Sequence, residues 1–200
     1  MMETVLKDLP GVQNYLDDII VYGASKEHDQ RLQAVLNRLS EAGLQINFGK
    51  SAFAQTQITF LGHLISREGL HPSTDHLTAI AEAPVPKDMP ALRSFLGLTS
   101  WFSKFISNYA TLVEPLRRLL KTSSQVGLHW DSAANESFTK LKQMLLDSPA
   151  LAMYNPKLPT AITTDASDHS LGAVLTQIQP DNTERIVAFA SHTLTPAERK

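Results

Sequence analysis

Two acidic side chains stand next to each other at Asp17-Asp18, between the apolar arms Val12–Leu16 and Ile19–Tyr22. The arms are rich in β-branched and aromatic residues. The stretch therefore reads as a strand, a tight turn and a returning strand, with the acids at or beside the tip. Like charges side by side at the end of apolar strands have two explanations. Asp is a favoured turn residue, and neighbouring side chains can point apart into water. The other explanation is ligation of Mg²⁺, a hard cation that keeps several waters and shares one or two carboxylates with substrate phosphates. Asp165, at the end of a later apolar stretch in Thr164-Asp165-Ala166-Ser167, reads by itself as a turn former.

Further motifs follow in order: Phe60-Leu61-Gly62-His63-Leu64-Ile65-Ser66, Leu92-Arg93-Ser94-Phe95-Leu96-Gly97-Leu98 and Leu171-Gly172-Ala173-Val174-Leu175-Thr176-Gln177. Tyr15-Leu16-Asp17-Asp18 with Ile19-Ile20-Val21-Tyr22 behind it resembles the central palm motif of reverse transcriptases, especially those of gypsy-type LTR retrotransposons. The other motifs are similar to successive parts of the same polyprotein, from about the first residue to the last. The resemblance implies an α+β fold. A partial reverse-transcriptase palm is expected over 1–83, a helical thumb-like segment over 84–124, a connection over 125–158, and the N-terminal part of a ribonuclease H-like domain over 159–200.

It also implies two reactions, each run by a pair of divalent cations (Mg²⁺, with Mn²⁺ as a substitute): polymerisation on a primer-template and hydrolysis of the RNA strand of an RNA–DNA hybrid. Asp17, Asp18 and Asp165 would be the catalytic metal ligands, Asp17 directly and Asp18 in support. Tyr15, the Leu61-Gly62 hairpin (similar to the primer grip), Arg93 and Lys104 would touch nucleic acid. The family's remaining acids match nothing in the 200 residues, and Glu198 is no substitute for them. The chain by itself is therefore expected neither to polymerise nor to cleave at a useful rate. The alternatives are an inactive relic that binds nucleic acid or protein, and a chain with no independent function. Open sheet edges are expected to favour self-association.

Composition narrows the partners. Hydrophobic residues make up 42% and the formal net charge is −2, so nucleic-acid binding must rest on a local basic face. Arg117, Arg118 and Lys121 offer one such face, although three cations on a helix also suit plain solvation. With no cysteine, disulfide frameworks and thiolate zinc sites are excluded. No run is apolar enough for a membrane span and no signal pattern opens the chain, which reads as soluble and intracellular.

These residues need positioning elements. A short helix over 3–9 stops at Pro10-Gly11, and a Ser25-capped helix buries Leu32, Val35, Leu36 and Leu39 and ends at Gly43. Its polar back carries Arg31, Gln33, Arg38 and Glu41. Strands are expected at Leu44–Phe48, Gln57–Ile65 and Leu70–Pro72, then a helix capped by Ser73 or Thr74. An Asp88-capped helix turns Leu92, Phe95, Leu96, Thr99 and Phe102 inward, with Trp101 and Phe105 toward another side. A helix around Leu112–Leu120, a linker over Thr122–Val126, a strand at Leu128–Trp130 and an Asp131- or Ser132-capped helix come next. Three strands close the chain at Ala161–Thr164, Leu171–Gln177 and Arg185–Ser191, with a turn at Pro180-Asp181-Asn182. Gly172 is expected to permit a close approach, and His169 and His192 to be incidental.

Overall fold

The computed structural model describes residues 2–122, 128–195 and 197–199. It divides into two compact units, 1–55 and 56–200. The fold is mixed α+β, with a small two-stranded sheet, two three-stranded antiparallel sheets and helices between them.

In the first unit, α1 (Met2–Val5) precedes the antiparallel pair β1 (Val12–Tyr15) and β2 (Asp18–Val21), and α2 (Ser25–Glu41) covers them. Leu6, Val35 and Leu39 form its core, with Val12, Ile19, Val21, Leu44 and Ile46 packed around. The end of α2 is a Schellman motif. Gly43 sits at φ +70°, Leu44 N–H reaches Leu39 O at 2.8 Å and Gly43 N–H reaches Ser40 O at 3.0 Å. Two expectations need correction here. Ser25 is the first helical residue, not the cap, which is Ala24 without a side-chain bond. Arg31 and Arg38, on the polar back of the helix, are both engaged. Arg31 donates to Tyr22 O at 2.6 Å and to Glu27 at 3.1 Å, and Arg38 donates to Val5 O at 3.2 Å. Arg31 passes so close to Gly11 and Gly23 that a β-carbon on either would meet it at 2.7 Å or less. It straps the base of the acidic hairpin to α2. Finally, Leu44–Phe48 forms no strand. Leu44 and Ile46 keep the in-out alternation, but the backbone has no partner strand, and a 3-10 turn follows at Phe48–Lys50.

The second unit opens with a meander of β3 (Ile58–Phe60), β4 (His63–Ile65) and β5 (Leu70–Pro72). Gln57–Ile65 is thus a hairpin, because Leu61 and Gly62 both take positive φ, 50° and 74°, as a two-residue turn of primed type requires. The helices are α3 (Thr74–Glu82), α4 (Met89–Trp101), α5 (Tyr109–Leu112), α6 (Glu114–Thr122) and α7 (Ser132–Leu146). Asp88 and Asp131 cap α4 and α7, each accepting a backbone N–H at 2.8 Å. The core gathers Ile80, Leu92, Phe95, Phe102, Val113, Leu116, Phe138, Leu141 and Leu151. Phe105 belongs to this core at 2% exposure, whereas Trp101 is 58% exposed, so the two do not share a free face. Leu128–Trp130 is not a strand; the Trp130 indole instead donates to Pro86 O at 2.9 Å and lies edge-on to Phe138. Beyond Thr122, the expected linker lies outside the described residues.

The sheet of β6 (Thr160–Ala166), β7 (Ser170–Ile178) and β8 (Glu184–Thr193) is antiparallel in the order β6-β7-β8. A two-residue backbone pair joins it to the meander: Leu70 N–H to Leu151 O at 2.8 Å and Leu151 N–H to Leu70 O at 2.9 Å. Ala152 N–H then bonds Ile186 O at 2.7 Å, and Arg185 donates to Glu68 O. Gly69, at φ +133°, makes this clip possible, since a β-carbon there would lie 2.2 Å from Leu151 O. Among the described residues no helix is long and apolar enough to cross a membrane.

Candidate functional site

Candidate residues fall in three places: the β1–β2 tip, the β3–β4 tip with α4, and the β6–β7 edge. At the first, Leu16 and Asp17 form the turn and Asp18 opens β2 opposite Tyr15. Leu16 stands at φ 52°, a left-handed conformation that Gly or Asn adopts more cheaply. It is also 75% exposed, and Tyr15 55%. Asp17 and Asp18 are exposed and, among the described residues, paired with no cation or hydrogen-bond donor. The tip thus combines a strained residue, exposed apolar surface and two solvent-facing carboxylates. Acceptor-only oxygens open to solvent fit a divalent cation. The Arg31 strap holds the base of the hairpin that carries them.

At the second place the Leu61-Gly62 turn lies against α3 and α4. A β-carbon on Gly62 would be 3.1 Å from the His76 ring and 3.6 Å from Trp101 Nε1. His63, next in chain, is 7% exposed and its Nδ1 lies 2.8 Å from Leu61 O. Arg93, Gly97 and Trp101 follow at i, i+4 and i+8, which places them on one helix face. Arg93 is exposed and Gly97 has open space above it. The face therefore combines a cation, a gap and an exposed indole beside the hairpin tip. Lys104 differs from Arg93: it is half-buried, its ammonium sits 5.5 Å from the Phe105 ring centroid, and burial lowers its pKa from the ordinary lysine value. The cationic helix α6 is partly committed, since Arg118 pairs with Asp131 at 3.0 Å.

At the third place, Asp165 lies on β6, whose residues are all exposed, and its carboxylate accepts the Ala166 N–H at 3.0 Å. It pairs with Gly172, so their side-chain positions share one face of the sheet. The close approach that Gly172 permits is by a side chain: Asn108 Oδ1 would be 2.9 Å from a β-carbon there. Asn108 is itself left-handed, at φ 54°. From it α5 is laid onto the sheet, with Ala110 N–H donating to Ser191 Oγ at 2.8 Å and the Thr111 and Ser170 hydroxyls 3.0 Å apart. Asn108 thus stands on the face of Asp165. Sequence reasoning missed it, although a glycine in mid-strand signals that something must come close. His192 lies 3.2 Å from Glu198. Glu198 also accepts the Thr195 N–H at 2.7 Å, and the Thr195 backbone, the Thr195 side chain and His192 pull its pKa down to about 2. It is occupied as a capping residue. Among the described residues no three Asp, Glu or His side chains gather in a group that could hold a metal ion.

Known proteins share this arrangement. Residues 1–65 match the family model of reverse transcriptase (RNA-dependent DNA polymerase), and residues 130–200 match that of the RNase H-like domain found in reverse transcriptase. The chain is 38% identical over 194 residues to the retrovirus-related Pol polyprotein from transposon opus of Drosophila melanogaster, covering 92% of the chain and 19% of that protein. It is 33% identical over 185 residues to the transposon Tf2-3 polyprotein of Schizosaccharomyces pombe, covering 92% and 14%. The chain thus spans about a fifth or less of the length of these relatives. Among solved structures it is similar to the foamy viral protease-reverse transcriptase dRH in complex with double-stranded DNA (TM-score 0.89, 26% identity, 99% of this chain, 35% of that one). The foamy viral protease-reverse transcriptase in complex with an RNA/DNA hybrid matches at TM-score 0.87 and 26% identity, over 99% of this chain and 27% of that one.

Proposed function

Since the chain belongs to the reverse-transcriptase family of retrovirus-related Pol polyproteins, we propose that it is the palm-to-ribonuclease-H stretch of an RNA-directed DNA polymerase with hybrid-cleaving activity. Asp17 and Asp18 serve polymerisation and Asp165 serves cleavage of the RNA strand. The observation that carries this reading is the β1–β2 tip, where two unpaired carboxylates share a strained turn with exposed Tyr15 and Leu16. Both families generally use divalent metal ions. Mg²⁺, or Mn²⁺ in its place, would be held by Asp17 with Asp18 in support, and at the other site by Asp165. Bound there, such ions activate a hydroxyl or water and stabilise the leaving oxygen of a phosphodiester. The family's further acids match nothing in the 200 residues, so these residues alone are slow in both reactions.

The chain's own residues hold and orient the nucleic acid. Leu61, Gly62 and Trp101 form a largely uncharged ledge for the primer end, and Arg93 and Lys104 meet phosphates. Position matters because a shift of ~1 Å in the reacting hydroxyl loses on the order of a hundredfold in rate. The division into palm 1–83, thumb 84–124, connection 125–158 and ribonuclease H-like start 159–200 belongs to the same reading. Open edge β6 makes self-association the expected side reaction at high concentration. Fluorescence anisotropy with a labelled RNA–DNA hybrid tests the reading. Binding should weaken with salt, and Trp101→Ala should weaken it at every salt concentration. Unchanged affinity in Trp101→Ala would remove the ledge from the interface.

A further inference from the structure

His63 lies directly behind the Leu61-Gly62 turn in a cage of rings. The centroids of Trp101, Phe102 and Phe105 stand 6.0, 5.6 and 5.8 Å from its own. Leu61 O can only accept, so Nδ1 carries the hydrogen and donates to it at 2.8 Å. Nε2 is then a bare lone pair, buried and without a partner. The bond holds the carbonyl of a residue strained at φ 50°. His63 is paired across the sheet with Phe60 and Pro72, both apolar. The titratable groups acting on it are Lys104, from the 3-10 turn Ser103–Phe105, and His76, from α3; neither is a carboxylate.

We propose that His63 is a positioning residue that works as a pH-set latch: as the neutral imidazole it seats the Leu61-Gly62 tip against Trp101, and as the imidazolium it lets the tip go. A proton on Nε2 would create a donor with no acceptor inside an aromatic cage, next to an ammonium. The ring escapes that cost by turning outward, which breaks the bond to Leu61 O. Burial foremost, then Lys104 and His76, outweighs the bond to Leu61 and lowers the His63 pKa from the ordinary 6.5. The latch stands on the geometry of the tip alone. Its consequence for nucleic acid rests on the proposed function.

NMR of the full chain from pH 8 to 5 tests it, following the His63 ring and the Leu61 and Gly62 amides. A shared midpoint below 6.5 is expected, and His63→Phe should abolish the amide response. Should His63→Phe fail to fold, Lys104→Met leaves the ring intact and must move the midpoint upward by removing a nearby ammonium. A midpoint at or above 6.5, amides that still respond in His63→Phe, or a midpoint unmoved in Lys104→Met would each overturn the latch. Labelled RNA–DNA hybrid gives a separate arm. One pH unit below the midpoint about nine-tenths of tips are released, so affinity falls about tenfold from its value well above the midpoint if only the seated tip binds, and His63→Phe, which lacks the bond to Leu61 O, should show no such fall. Amides that move while affinity does not would uphold the latch and remove the tip from the nucleic-acid interface.

Discussion

Replacing Gly69 by Ala strikes the clip between the meander and the C-terminal sheet. The added β-carbon would stand 2.2 Å from Leu151 O, a backbone atom that cannot swing aside, at a φ of +133°. Three costs follow. Opening the reciprocal Leu70–Leu151 pair forfeits two hydrogen bonds at about 1 kcal/mol each. Leu151 is fully buried, so its stranded carbonyl adds roughly 1–3 kcal/mol. The backbone strain costs on the order of 1–3 kcal/mol if the native φ is kept. Partial relaxation trades one cost against another, and a net loss of about 3–5 kcal/mol is expected, a large share of the ~5–15 kcal/mol typical of folded domains. Urea unfolding followed by tryptophan fluorescence reads this directly, because both tryptophans, Trp101 and Trp130, lie in the second unit. The midpoint should fall with an unchanged slope. Gly97→Ala is the control: a helical glycine with nothing within 4 Å, it should gain about 0.5–1 kcal/mol. A loss below about 1 kcal/mol in Gly69→Ala would refute the clip.

Other outcomes follow from the same structure. Gly172→Ala should destabilise the β6–β7 edge by displacing Asn108, and Asn108→Gly in the same chain should restore most of the loss, measured as a double-mutant cycle in urea. Asp88→Ala should cost about 1 kcal/mol through the lost cap of α4, visible as a lower melting temperature. The Glu198 carboxylate, depressed to about 2, gives the Thr195 cap its full strength above about pH 4.5 and loses it as pH falls toward 2. The Thr195 amide shift should follow that window, and Glu198→Gln should flatten it.

Much of this was legible from residue types alone. Alternating apolar arms around Asp17-Asp18, the Asp88 and Asp131 caps and Gly43 at a helix end each carry a local physical reason that tertiary packing had no cause to override. The misses came where a partner decides the outcome. Leu44–Phe48 alternates like a strand yet has no neighbour to pair with, and Leu128–Trp130 is held by an indole bond to Pro86 instead. Arg31 reads only as part of a polar helix back because a sequence does not show a carbonyl waiting nine residues upstream. Asn108 was hidden for the same reason, since Gly172 announces a close approach without saying by what.

The most direct test is a pair of assays, primer extension and hybrid cleavage, on this chain joined to the flanking regions of one of its Pol polyprotein relatives, with Asp17→Asn and Asp165→Asn compared. Asp17→Asn should abolish extension and spare cleavage, and Asp165→Asn should do the reverse. Loss of both activities in either variant, or of neither, would contradict the assignment of the two acids to separate sites.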